Sequence, residues 1–291
     1  MHHDASSVGA DQPPVPAPGL AKTRRIVHRT KGRTHGAITR LASPSDLGAL
    51  LKPFVFVDLF DTGGSEFPAF GLHPHSGIAT LTYLAEGSVT YEDTTGARGL
   101  LAAGGVEWMR AGAGVWHGGG AGEPGPTRGF QLWVALPPAL ELGPSLSLYQ
   151  SAADLPVVGP ARVLLGRWGG RASAIESPSD INYLAVRLRA GERWHYAPPA
   201  GHDVLWIALG KGAVRAPDRV ARGELVLFEA GEGAVEFVAE ADSEFVLGSA
   251  VPHPHGLVLG NYSVHTSADA LDRGERRIRD IRAELIEKGR L

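Results

Sequence analysis

The chain has 291 residues, 43% of them hydrophobic and 20% charged, enough for two domains of roughly 100 to 150 residues and unlike a disordered or supercharged protein. Its 31 acids against 28 bases leave a net charge of −3, so no global field draws it to nucleic acid or to an anionic membrane. The absence of cysteine removes disulfides, thiolate metal sites and thiol nucleophiles together, leaving any metal chemistry to histidine and carboxylate.

Residues 1–21 are Ala, Pro, Ser and Gly with almost no large apolar side chain, a composition that cannot repay the entropy of ordering and reads as a disordered leader. The segment Met1 to Pro18 has neither the basic end nor the apolar run of a signal peptide. No apolar stretch approaches the roughly 20 residues of a membrane helix, so the expectation is a cytoplasmic protein with no membrane partner. From Lys22 to Arg33 come six bases and no acid, interleaved with Ile26 and Val27. This pattern reads as an edge strand protected by charge, or alternatively as a stripe that binds a protein partner.

Strand-like alternation follows in Ile78 to Leu84, Ser88 to Glu92 and Phe130 to Leu136, where Phe130, Leu132, Val134 and Leu136 share a face. A second set comprises Tyr183 to Arg189, Val204 to Leu209, Glu224 to Phe228, Val235 to Val238 and Phe245 to Val251. Scattered Gly and Pro bound these runs, as expected of short strands joined by tight turns. The two sets echo each other. Leu84-Ala85-Glu86-Gly87-Ser88-Val89 resembles Leu209-Gly210-Lys211-Gly212-Ala213-Val214, and Gly105-Val106-Glu107-Trp108 resembles Gly223-Glu224-Leu225-Val226. Such a repeat implies duplicated β-barrels, placed at 22–140 and 141–265. Only residues 266–291 read as helix: Thr266-Ser267-Ala268-Asp269 has capping-box spacing, Ile278, Ile281 and Leu285 form an apolar stripe, and Gly289 can end it.

His73 and His75 flank Pro74 and so project to one face of an extended segment, with His117 following a Gly-rich turn. Three imidazoles from two barrel strands would make a facial set with open positions, suited to iron, nickel, manganese or copper. The same spacing also fits surface or structural histidines. Counterpart positions in the second repeat fall near His195 and Val235, too few imidazoles for a metal, and His253-Pro254-His255-Gly256 reads as a turn.

Five blocks carry a resemblance: Phe54-Val55-Phe56-Val57-Asp58-Leu59-Phe60-Asp61, Gly71-Leu72-His73-Pro74-His75-Ser76-Gly77, Thr82 to Gly87, Trp108 to His117, and Gly129-Phe130-Gln131-Leu132-Trp133-Val134. In order and spacing they resemble the N-terminal domain of the pirin family. The resemblance implies an all-β bicupin, two jelly-roll-like cupin barrels packed face to face with a C-terminal α-helix, and a mononuclear metal in the first barrel held by His73, His75 and His117. Iron, as Fe(II), is the usual ion, with Ni, Mn, Cu or Zn as alternatives. Members of the family include quercetin 2,3-dioxygenases and regulators that bind other proteins.

This sequence departs from the family pattern at the site. The Glu usually found two residues after the third His is replaced within Gly118-Gly119-Gly120, and the Glu four residues after the second His is Ala79. Glu123 on the following loop is a candidate to fill the missing position. Two functions therefore stand side by side. One is a quercetinase-type dioxygenase taking a small aromatic substrate and dioxygen, with Phe56, Asp58, Tyr83, Trp108 and Phe130 as pocket candidates and Trp116 and Trp133 as further aromatics nearby. The other is a non-catalytic, protein-binding scaffold whose metal site is degenerate or empty. Direct DNA binding is not expected, and a monomer suffices because the barrels bury each other's faces.

Overall fold

The computed structural model describes residues 23–65 and 67–291; the leader assigned to 1–21 lies outside the described residues. The first part of the chain forms β1 (Ile26–Thr30), β2 (Arg33–His35), β3 (Ile38–Ala42), a single-turn α1 (Gly48–Leu51), β4 (Phe54–Asp61), β5 (Phe70–His75) and β6 (Ile78–Glu86). It continues through β7 (Ser88–Asp93), β8 (Arg98–Ala102), β9 (Val106–Arg110), β10 (Val115–Ala121), β11 (Arg128–Ala135) and β12 (Leu146–Gln150). The second part has β13 (Val157–Val158), β14 (Ala161–Leu165), a small hairpin β15 (Arg167–Trp168) and β16 (Arg171–Ala172), β17 (Ile181–Leu188), β18 (Arg193–Tyr196) and β19 (Val204–Lys211). Then follow β20 (Ala213–Ala216), β21 (Asp218–Ala221), β22 (Leu225–Phe228), β23 (Val235–Ala239), β24 (Ser243–Ala250), β25 (Val258–Leu259), β26 (Val264–His265) and α2 (Ala268–Glu287).

Each half pairs a seven-stranded sheet with a four-stranded one. The first barrel combines the order β12-β9-β6-β11-β4-β3-β2 with β5-β10-β7-β8, and the second combines β1-β22-β19-β24-β17-β14-β13 with β18-β23-β20-β21. The two large sheets face each other. Their shared core runs from Phe54, Leu81, Tyr83, Trp108, Phe130 and Leu132 on one side to Leu165, Tyr183, Trp206, Leu227 and Val246 on the other, with Phe54 set edge-on to Trp206 at 5.4 Å. A strand of the large sheet is therefore buried on both faces, and in β17 every residue but Arg187 is buried.

The boundary at residue 140 is crossed by chain from both sides. β1 leaves the first half and pairs antiparallel with β22, Ile26 opposite Phe228, whereas β12 lies beyond residue 140 yet pairs with β9. β1 occupies the edge of its sheet, and bases in it and just before it bind the second barrel. Arg25 pairs with Glu229 at 3.0 Å, Arg29 with Glu224 at 3.2 Å, and buried Arg24 donates to the His202 carbonyl at 3.0 Å.

Ser267 caps α2, its side chain accepting from the Ala270 N–H, one residue later than the Thr266 of the capping-box pattern. Ile278, Ile281 and Leu285 pack on Trp116 of β10, and the Trp116 indole donates to the Ile278 carbonyl at 3.0 Å. The exposed face carries Arg276, Arg277 and Glu284. Among the described residues, no helix is long and apolar enough to cross a membrane.

Candidate metal centre

The interiors of the two barrels differ, although their sheets are built alike. Across the large sheet of the first barrel, hydrogen-bonded registers place Tyr149, Glu107, Thr82, Gln131, Asp58 and Arg40 in one lateral row, one residue per strand. In the second barrel the corresponding row reads Val226, Ile207, Leu247 and Leu184. That aliphatic row joins Trp194, Tyr196, Phe237 and Phe245 in a filled interior. The first barrel instead encloses a cavity of about 570 Å³, in the range that takes a drug-sized ligand.

Alternation along the strands decides which side chains reach this cavity. Phe56 and Asp58 of β4 line it, as do Gln131 and Trp133 of β11. Tyr83, Trp108 and Phe130, expected at the pocket, point the other way into the core between the large sheets. Trp116 faces α2.

His73 and His75 come from β5 and His117 from β10, neighbouring antiparallel strands in which His117 lies directly opposite His73. One potential ligand atom from each imidazole falls within 4.8 Å of the other two, and the ring centroids are 4.4 to 5.2 Å apart. The outer nitrogens are already engaged or faced by acceptors. His73 Nδ1 meets the Gly71 carbonyl at 3.0 Å, and His75 Nδ1 meets the Tyr262 carbonyl at 2.9 Å. His117 Nδ1 faces Glu107 Oε1 at 3.7 Å, an ion-pair distance rather than a hydrogen bond. A donor role for each Nδ1 leaves the three Nε2 atoms as the bases. His117 Nε2 is buried with no hydrogen-bond partner, a costly state unless something binds there. The donor set and the orphaned nitrogen fit one ion held by three imidazoles.

The electrostatics favour the neutral forms of His73 and His75. Burial lowers His73 to about 4, assisted by the nearby His117 and opposed by the Gly71 carbonyl. His75 is pushed well below the ordinary histidine value, first by burial and then by His117 and His73. Neutral imidazole is the form that binds metal.

The carboxylate at this site is Glu107, which the sequence reading passed over; Glu123 is exposed on its loop and does not line the cavity. Glu107 Oε2 accepts from the Thr82 hydroxyl at 2.8 Å, and Oε1 accepts from Tyr149 at 3.3 Å. Burial alone would raise its pKa, but His117, Thr82 and Tyr149 hold it below the usual carboxylate range. Thr82 Oγ1 also lies 2.8 Å from Gln131 Oε1; with its one hydroxyl proton given to Glu107, the pair is satisfied once the Gln131 amide is turned to present its nitrogen, which otherwise has no partner. Asp58 is held by the Arg40 guanidinium at 2.5 and 3.1 Å. Arg40 also lies 4.0 Å above the Phe56 ring. Phe56 stacks on Trp133 at 4.1 Å, and Trp133 meets His75 at 4.8 Å, giving one continuous wall. A signal for Glu107 did exist: it is the one charge inside the apolar run Val106-Glu107-Trp108-Met109.

Gly118, Gly119 and Gly120 carry β10 past the histidines without side chains. A Cβ at Gly119 would lie 2.2 Å from the Thr90 carbonyl oxygen, and one at Gly118 would lie 2.8 Å from the Phe70 carbonyl oxygen. The backbone of β7 thus fills the space in which a carboxylate at position 119 would begin. Gly119→Glu is expected to cost about 1–3 kcal/mol of stability in chemical denaturation, with no gain in metal affinity. A variant as stable as the wild type that also binds metal more tightly would contradict this.

The second barrel offers nothing comparable. His195 is exposed and pairs with Glu236 at 3.2 Å, Val235 is buried core, and His253 and His255 stand 5.2 Å apart as a pair. Among the described residues, His73, His75 and His117 are the group of three or more ligand-type side chains placed to share an ion.

Two seven-stranded sheets packed face to face, each closed by a four-stranded sheet, with imidazoles gathered inside one barrel, define a bicupin. Residues 35–134 match the family model Pirin. A Caulobacter vibrioides pirin-like protein is 32% identical over 70% of this chain and 78% of its own length. A Pseudomonas aeruginosa protein described provisionally as a quercetin 2,3-dioxygenase is 33% identical over 78% of this chain and 85% of its own. The crystal structure of an Acinetobacter baumannii quercetin 2,3-dioxygenase superposes with a TM-score of 0.80 at 24% identity, covering 87% of this chain and 96% of that one. The chain belongs to the pirin family.

Proposed function

We propose that this pirin holds one divalent metal through Nε2 of His73, His75 and His117 and oxygenates a flat, hydroxylated aromatic molecule of the flavonol class. The observation that carries the reading is the convergence of three imidazoles whose Nδ1 atoms are already engaged or faced by acceptors, one of them with a buried Nε2 that has no partner. A bound ion, with iron first among the candidates, would supply Lewis-acid and one-electron chemistry toward dioxygen. The protein's own part is to shape and dry the chamber. Phe56 and Trp133 offer a continuous aromatic wall, Phe67, Phe70 and Tyr91 line other parts of the cavity, and the side-chain-free Gly118 to Gly120 leaves room for a planar ring. Arg40 neutralises Asp58 beside the aromatic wall. The name of the Pseudomonas relative supports the same substrate class.

The test is oxygen uptake by full-length protein, stripped with chelator and refilled with Fe(II) under argon, in the presence of quercetin. Substrate-dependent oxygen consumption with loss of flavonol absorbance is the expected result. A metal-loaded protein that consumes no oxygen with any flavonol or simple phenol would overturn the oxygenase assignment and leave a binding scaffold.

A further inference from the structure

Glu107 is a buried charge in a sheet that does not need one. The second barrel places Val226 at the corresponding point of the same lateral row, so the fold is satisfied there by an aliphatic side chain. Burying a carboxylate without a cationic partner is strongly unfavourable, and the groups around Glu107 are two hydroxyls and one imidazole. Hydroxyls alone can be served by a neutral amide. The feature that calls for a negative charge is His117.

The three ligands are also backed differently. His73 and His75 rest on main-chain carbonyls, whereas His117 alone is faced by a side chain. A carboxylate behind an imidazole fixes the Nδ1–H tautomer, aims Nε2 and raises its basicity. At the same time the route used by the family pattern is closed, because a side chain at Gly119 would start against the Thr90 carbonyl.

We propose that Glu107 supplies this site's carboxylate from behind His117, as a positioning residue on the neighbouring sheet, in place of a carboxylate bound directly to the ion. The inference rests on the reading that the three histidines hold a metal. It makes the site a three-imidazole centre whose compensating charge sits outside the coordination sphere. Such a centre would leave the ion one protein ligand fewer than a three-His, one-Glu centre.

The test compares wild type, Glu107→Gln and Glu107→Asp as full-length proteins, using Co(II) as the probe. Affinity is read by competition with a chromophoric chelator, the ligand field by visible absorption, and metal-free stability by thermal melting. Glu107→Gln keeps the shape and removes the charge. It is expected to bind Co(II) about 10- to 100-fold more weakly with a shifted Co(II) spectrum, while the metal-free variant melts at or above the wild-type temperature because a buried charge is gone. Glu107→Asp is expected to recover part of the affinity. Wild-type protein that binds Co(II) while Glu107→Gln binds it equally well within twofold overturns this inference alone. A metal-free Glu107→Gln that is unfolded or melts far lower marks Glu107 as a structural residue and also overturns it. Wild-type protein that takes up no Co(II) overturns the metal-centre reading itself.

Discussion

Replacing His75 by alanine is expected to take the metal content from about one equivalent to none, measured by elemental analysis after both proteins are stripped and refilled with Fe(II) under argon. His75 is the most buried of the three imidazoles, 2% exposed, and Tyr262 on one side and Trp133 on the other fix its ring. Alanine leaves two imidazoles on neighbouring strands. Glu107 stands behind His117 and cannot stand in for the lost ligand. Two nitrogens without a third do not make the facial set, so affinity should fall by at least about 100-fold, the upper end of what losing even an outer partner costs. The metal-free variant should remain folded, since the substitution also removes an imidazole that burial disfavours in its charged form. Equal metal in both proteins would sink the assignment.

Acid should destabilise the metal-free protein well before its carboxylates are neutralised. Burial, assisted by neighbouring positive groups, holds His73 and His253 at about 4. His75, His202 and His265 are displaced in the same direction, each first by burial. The groups facing them partly oppose the effect: Glu107 near His73, Asp180 near His202, and Glu141 near His253 and His265. In the unfolded chain all five titrate near 6.5. Below that value the unfolded state takes up protons that the native state refuses, so stability is full above pH 6.5 and falls as the pH drops toward about 4. The contribution is largest for fully buried His75 and smaller for partly exposed His73. Urea denaturation of the stripped protein at pH 7.5 and pH 5 should therefore show a midpoint markedly lower at pH 5. Refilling with metal should raise the midpoint at pH 7.5 and make the fall steeper, because protons and the ion compete for the same nitrogens. A midpoint unchanged between the two pH values would show that these imidazoles are not buried neutral.

Much of the fold and of the ligand set can be read from residue spacing. Histidines two apart on an extended segment must share a face, and the short strands with turn residues between them announce themselves through Gly and Pro. The pocket was harder to read, for a physical reason. Strands of the large sheets are covered on both faces, so both parities carry large apolar side chains and only single polar residues such as Asp58, Thr82, Glu107 and Gln131 mark the cavity side. Phe130 and Trp133 look equivalent in such a run, yet one packs between the barrels and the other against His75. Glu107 could be noticed as a lone charge, but its nearness to His117 depends on how β9 and β10 are placed by two different sheets. The crossing of β1 to the second barrel was equally hidden, because the bases that mark it as an edge strand do not say whose edge.

The order in which this chain is synthesised does not match the order in which its parts can close. β1 is made early but pairs with 225–228, and the carbonyl that orients His75 belongs to Tyr262. Behind that carbonyl, Ser76, His265 and Glu141 form a fully buried chain of contacts at 2.9 and 3.1 Å, with Glu141 also accepting from Thr266 just before α2. The order Ser, His, acid would suggest a hydrolase in an open cleft. Sealed here, it fastens the segment leading into α2 against the strand that carries His73 and His75. A ribosome-bound chain lacking those residues has all three histidines but not the clasp that sets one of them. The ring of His75 is accordingly set only after residues 262–266 have docked, and contacts of such long sequence separation make the closing steps slow.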